Sequence, residues 1–293
     1  MLTIDPKEIP TAKLHGYLLG AVGPRPIAFA STVNAEGIPN LSPYSFFNVF
    51  SANPPILIFS PARRVRNNTT KHTLENVKAT KEVVINVVNY DIVQQMSLSS
   101  TEYPEGVNEF EKSGLTMVAS ETVAPFRVKE SPVQFECKVV EVRPLGTEGG
   151  AGNLVICEVT KMHIDEAVIN AQGAIDQDRI DLVSRMGGNW YSRANKGLFE
   201  VPKPLSSLGI GVDRIPEGIR LSKVLTGNDL GKLGNVEAMP DQEAVEAFVS
   251  ESVEVRKVLS SGDTEKIHEL ARTYLDQNRV VEAWKLLLAG NRE

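Results

Sequence analysis

The sequence predicts a mainly β fold: an antiparallel sheet long enough to close into a small barrel, with short helices at its rim and a helical C-terminal extension. Three observations carry this. β-rich apolar runs recur between Gly, Pro and Asn turns up to about residue 164. No repeated strand–helix–strand pattern appears, which disfavours a doubly wound parallel sheet. From Val201 the texture changes to short loops and helical periodicity.

The elements follow in order. Thr11 to Leu19 reads as a short helix ended by Gly20 and Gly23. Gly23 to Ser60 reads as three strands with two sharp turns: an apolar strand Ile27–Val33, the turn Asn34–Gly37, a middle strand over Asn40–Asn48, and Ile56–Phe59 after the breaker Asn53-Pro54-Pro55. The middle strand mixes hydroxyls, an amide and aromatics. Pro43 cannot donate to a central ladder, so this strip is expected at an edge, a bulge or against a ligand.

Asn68 to Lys81 reads as a helix, Glu82–Val88 as a strand, and Asp91–Leu98 as a short helix. Tyr103–Gly114 is mostly loop, with a turn of helix near Phe110. Pro132–Val142 and Asn153–Ile164 are strands joined by the hairpin loop Gly146–Gly152, and Asp176–Met186 is expected as a helix beside the Gly187-Gly188 turn.

Val201-Pro202-Lys203-Pro204 marks a boundary, giving a barrel domain over 1–204 and an extension over 205–293. Glu243–Ser260, Thr264–Gln277 and Arg279–Ala289 read as three helices. A helical piece over Asp241–Glu293 is small for independent stability, so its Trp284 and leucines are expected to need a partner surface, on the barrel or on a second subunit. It would serve as a stabilising element or as a gate.

Composition excludes some functions. The chain has 293 residues, 42% apolar and 23% charged, and a formal net charge of −6. That argues against a nucleic-acid partner. Arg63-Arg64-Val65-Arg66 is a local basic cluster, either an anion site or a solvated loop. Two cysteines, Cys137 and Cys157, are too few for a disulfide scaffold and read as buried thiols. No signal-peptide pattern and no apolar run of ~18 residues is visible, so a soluble cytoplasmic protein without membrane contact is expected. The four histidines lack metal-ligand spacing, so no metal is expected.

Several segments together resemble the FMN-binding split-barrel proteins of the flavin reductase type, flavoredoxin-like members included. They are Pro24–Ala28, Asn40–Asn48, Asn53–Pro55, Phe59-Ser60, Lys71–Thr73, Glu75-Asn76, Glu136-Cys137, and Gly187-Gly188 with Tyr191. The resemblance spans roughly residues 10–204 and implies a split β-barrel, FMN as cofactor, and a homodimer with the flavin near the interface.

For the flavin phosphate it points to Ser60, Arg63, Lys71, His72 and Thr73, a set of cations and hydroxyls near a helix start. Relatives often carry an acid where this chain has His72. For the ring it points to Ser42, Pro43, Tyr44, Ser45, Phe46 and Asn48. Arg25 either meets the flavin rim or pairs with an acid. Ser99 and Ser100 match a position near the ribityl or phosphate groups. Tyr191 either approaches a site on the other subunit or is a buried aromatic.

No catalytic side chain is assigned, because hydride passes directly between nicotinamide and flavin. No G-x-G-x-x-G follows a strand, so nothing would hold an AMP half. The implied activity is an NAD(P)H-dependent flavin reductase acting on a flavin or protein acceptor. An electron carrier without direct NAD(P)H activity, or a non-catalytic flavin-binding module, is the alternative.

Overall fold

A computed structural model describes residues 1–202 and 208–291. The chain divides into two units, residues 1–199 and 200–293. Lys203 and Pro204, half of the expected boundary, lie outside the described residues.

The first unit runs α1 (Thr11–Ala21), β1 (Ala28–Val33), β2 (Pro39–Tyr44), β3 (Phe47–Ala52), β4 (Pro55–Phe59), α2 (His72–Thr80), β5 (Glu82–Asn86), α3 (Val93–Leu98), α4 (Glu109–Ser113), β6 (Met117–Val118), β7 (Arg127–Val128), β8 (Val133–Pro144), β9 (Asn153–Ile164), α5 (Gln177–Ile180), β10 (Val183–Arg185) and β11 (Tyr191–Arg193). Seven strands form one antiparallel sheet in the order β2-β1-β5-β8-β9-β4-β3.

That order carries the geometry of the site. β2 and β3 are consecutive in the chain yet lie at opposite edges of the sheet. Only Ser45 and Phe46 join them, and so short a link reaches roughly 10 Å at full extension. The sheet must therefore curl until its edges face each other. Tyr44 of β2 accordingly packs on Phe59 of β4, with ring centroids 5.5 Å apart. The edges do not pair, so the barrel is split along this line, and Pro43 sits in an edge strand where its missing N–H is tolerated. Inside, Ala28, Ala30, Leu57, Phe59, Val83, Ile85, Cys137, Val155 and Cys157 form the core, covered by Leu74 and Val77 of α2.

Some expectations are corrected. Gly23–Ser60 holds four strands, because Phe47–Ala52 forms its own strand against β4 with a bulge between Val49 and Ser51. α2 starts at His72 rather than Asn68: Asn68 has φ 54°, and the segment before α2 folds back on the arginines, with Arg64 N–H donating to Thr69 O and Asn68 N–H to Arg64 O. The helix expected over Asp176–Met186 lasts one turn. Asp176 caps it, and Asp181, at φ 48°, ends it and pairs with Arg193, leaving Val183–Arg185 to pair with β11.

The second unit contains α6 (Glu217–Arg220), α7 (Gly227–Gly234), α8 (Gln242–Glu251), α9 (Val253–Ser260), α10 (Thr264–Asp276) and α11 (Val280–Gly290). The single helix expected over Glu243–Ser260 is broken at Ser252, whose extended backbone ends α8 while its side chain caps α9 by accepting from Val255 N–H. α7 escaped the reading because glycines open and close it; a reciprocal Thr226–Asp229 capping box starts it. This unit has its own core: Ile219, Leu233, Val255, Leu275 and Leu287 pack with Trp284, whose Nε1 donates to Leu233 O at 3.0 Å. Trp284 thus finds its partners within its own unit.

Candidate functional site

Two cavities lie beside the split. The larger, about 260 Å³, is lined by His15 and Leu19 of α1, Arg25, the strip Pro43–Phe46, Ser60, Ala62, Lys71, Arg185 and Met186. The smaller, about 30 Å³, is lined by Asn40, Ser42, Tyr44, Arg64, Lys71–Thr73, Ser99–Tyr103 and Glu109. Successive strand side chains point to opposite faces, which is why Ser42 and Pro43 line different cavities. Tyr44 and Lys71 belong to both.

Lys71 and Tyr44 form the shared wall. The Lys71 ammonium lies 5.2 Å from the Tyr44 ring centroid, and it has no salt bridge or hydrogen bond among the described residues. Burial, aided by Arg64, pulls its pKa down. The Tyr44 side chain is buried, and its Oη makes no hydrogen bond among the described residues. Burial pushes that hydroxyl up to about 12, against the opposing pull of the nearby Thr73 and Ser42 hydroxyls, neither of which reaches hydrogen-bond geometry with it. A buried hydroxyl without a partner is costly, and the partly desolvated ammonium over the same ring has no anion paired with it among the described residues.

Thr73 is fully buried and donates to Asn40 Oδ1 at 3.0 Å instead of capping α2. No side chain caps that helix, so its first turn opens beside Lys71 with the partial positive charge of a helix start. His72 lines the same cavity. Ser99 Oγ and Ser100 Oγ donate back to Met96 O and Ser97 O, leaving their lone pairs on the cavity wall.

In the larger cavity Arg25 is 6% exposed and meets no acid among the described residues. Its Nη1 donates to Leu19 O and Val22 O, its Nη2 to Met186 O at 2.8 Å, and its Nε reaches Ser45 Oγ at 3.4 Å. It thereby ties α1 and the Gly187-Gly188 turn region to Ser45 of the strip Pro43–Phe46. Burial, with Arg185 nearby, holds its pKa below the usual arginine value. Arg25, Lys71 and Arg185 line this cavity with no carboxylate among the lining residues, in a chain of net charge −6. Leu19, Phe46 and Met186 supply apolar walls. Ser60 Oγ accepts from Asn153 N–H at 3.0 Å, and Ser60 N–H donates to Phe46 O at 2.8 Å, fixing one end of the strip.

Three expected residues line neither cavity. Arg63 turns away: its Nε and Nη2 donate to Asn68 Oδ1 and O, and the neighbouring Arg64 faces the smaller cavity instead. Asn48 is exposed on β3 and accepts from Val49 N–H. Tyr191 is 37% exposed on β11, stacked under the Arg185 guanidinium at 4.6 Å.

Residues that no local pattern assigns to the flavin site include Arg64, Glu102, His15 and Arg185. Arg64 stood in the basic cluster. The others come from a helix, a loop and the short strand β10, with no local pattern to mark them.

The comparisons with known proteins agree with this architecture. Residues 21–179 match the flavin reductase like domain family, all within the first unit. An uncharacterized protein of Aquifex aeolicus is 36% identical over 188 residues, covering 64% of this chain and 93% of the relative. Nitrilotriacetate monooxygenase component B from Bacillus cereus is 30% identical with a TM-score of 0.64, over 69% of this chain and 98% of that one. A split barrel domain protein of Shewanella frigidimarina gives 26% identity and a TM-score of 0.58, over 69% of this chain and all of its own. The fold is a split barrel, and the chain belongs to the flavin reductase like domain family.

Proposed function

We propose that this protein is a flavin-binding oxidoreductase that holds FMN across the two cavities and reduces it with NAD(P)H. The observation that carries the reading is the shared wall: an unpaired, partly buried Lys71 ammonium and an unpartnered buried Tyr44 hydroxyl between a small polar cavity and a larger, partly apolar one. A ligand with an anionic end, a hydroxylated middle and a planar ring fits that sequence of environments.

In this reading Arg64, Lys71, Thr73 and the open first turn of α2 take the phosphate. Tyr44 and Ser42 serve the ribityl chain, with Ser99 and Ser100 alongside. Pro43, Ser45, Phe46, Leu19 and Met186 form the ring slot, Arg25 fixes its rim, and Ser60 holds the strip. FMN, when bound, supplies the hydride-accepting ring. The chain's own part is to bind and orient that ring and to leave one face open to the nicotinamide.

A homodimer is part of the proposal. α1 buries none of its residues, and Tyr17, Leu18, Val49 and Phe50 are exposed around the site, a surface that a second copy would cover. Tyr191 would then reach the partner's flavin. The two buried free thiols suit a reducing compartment, and the cytoplasm is the proposed setting.

The test is an anaerobic visible spectrum of purified, FMN-loaded protein before and after NADPH or NADH, with the released flavin identified by chromatography. Bleaching by either nucleotide and release of FMN are expected. No flavin binding ends the proposal. Bound FMN that neither nucleotide reduces moves the protein to an electron-carrier role.

A further inference from the structure

Glu102 lies on the loop between α3 and α4 and lines the smaller cavity. Its Oε1 is 3.2 Å from Arg64 Nε, and its Oε2 is bonded to Arg66 Nη2. Both oxygens of one carboxylate are therefore spent on two guanidiniums, of which only Arg64 lines the cavity. Arg64 is held from its other side by Thr69 Oγ1 at 3.0 Å and by Thr70 O.

This contact sets the charge of the cavity. Its lining carries Arg64 and Lys71 against Glu102 and Glu109. Glu109 cannot withdraw: it is 5% exposed and accepts from Leu41 N–H at 3.0 Å. Glu102 can, because its side chain is 46% exposed and its partners are an exposed Arg66 and a part-exposed Arg64. Exposed ion pairs contribute little to stability, so such a pair is easily exchanged for another anion.

We propose that Glu102 is a built-in competitor for the flavin phosphate: its carboxylate occupies the Arg64 side of the anion site and must swing out when a phosphate monoester enters, so FMN is held as an exchangeable ligand rather than a permanent one. The inference rests on the assignment of the phosphate to the smaller cavity. No covalent step is involved; one anion replaces another on Arg64, and Glu102 moves to solvent with Arg66.

FMN and riboflavin titrations of the full chain, followed by flavin fluorescence, test it. Glu102→Gln and Glu102→Ala should each lower the FMN Kd about three- to fivefold, the scale of an exposed ion pair that the phosphate no longer has to displace, and slow FMN release. Riboflavin, which lacks the phosphate, should change less than about twofold in the same variants. Glu105→Gln, on the same loop and exposed, removes a charge without touching Arg64 and should leave both ligands unchanged.

Unchanged or weaker FMN binding in both Glu102 variants overturns the proposal, since Glu102 would then be idle or would orient Arg64 for the phosphate. Equal tightening by Glu105→Gln also overturns it, because general charge would explain the effect. A wild-type chain that binds FMN no better than riboflavin removes the phosphate assignment itself, and the competitor role with it.

Discussion

The Lys71 ammonium stands 5.2 Å from the centre of the Tyr44 ring, the one from the start of a helix and the other from the edge of a curled sheet. A cation over a tyrosine face is attracted by the ring quadrupole, which holds Lys71 in place without neutralising it. The charge stays available to a ligand, and the Tyr44 hydroxyl, without a partner, stays available beside it.

Tyr44→Phe separates ligand binding from folding. Removing a buried hydroxyl that bonds nothing should leave the ligand-free protein equally stable or more stable by about 1 kcal/mol. The same change should raise the FMN Kd about tenfold, because a hydrogen bond to the ligand is lost. Urea denaturation and flavin titration measure the two effects. A less stable variant with normal FMN affinity would show that the hydroxyl serves the fold.

Neighbouring arginines should behave differently. Arg64→Ala is expected to raise the FMN Kd about tenfold or more while sparing riboflavin, since a phosphate contact is worth roughly 1.5–3 kcal/mol. Arg63→Ala should change FMN affinity less than about twofold, because its guanidinium serves Asn68 in the loop before α2. Equal losses in the two variants would mean that the cluster acts as a diffuse field.

Glu136 sets an acid limit on stability. It is fully buried on β8, where burial alone would raise its pKa. Hydrogen bonds from Thr122 Oγ1, the N–H groups of Glu121 and Thr122, and His163 outweigh this and hold it at about 2. Arg127 lies 3.8 Å away, and Lys161 pairs with the adjoining Glu121. Because the folded value lies below the ordinary 4.5, the stabilisation is fully present above pH 4.5 and is lost as pH falls through about 2. Glu136→Gln should lower stability at neutral pH by about 3 kcal/mol and flatten the decline between those limits. Denaturant melts across that pH range check it, and an unchanged acid slope would sink it.

The second unit should fold by itself. Residues 200–293 have a core of their own around Trp284. Expressed alone, they should show one cooperative thermal transition, and Trp284→Ala should cost about 3–5 kcal/mol in that fragment. A fragment without a cooperative transition would return the unit to dependence on a partner surface.

The sequence by itself determined the mainly β class, the change of texture near Val201, most strand positions, and the place of Pro43 in a strand that is not central to the sheet. These are local properties. Alternation, turn chemistry and the missing N–H of Pro43 act within a few residues, so they are legible without a fold. Tertiary structure decided which side chains share a cavity. Arg63 and Arg64 are indistinguishable as letters; the fold-back of Asn68 and Thr69 turned one to the loop and the other to the cavity. Glu102 and Arg185 join the site from segments far along the chain, through contacts that close only when the sheet curls and brings β2 opposite β3. Charge neutralisation and burial are properties of that meeting, and no residue carries them alone.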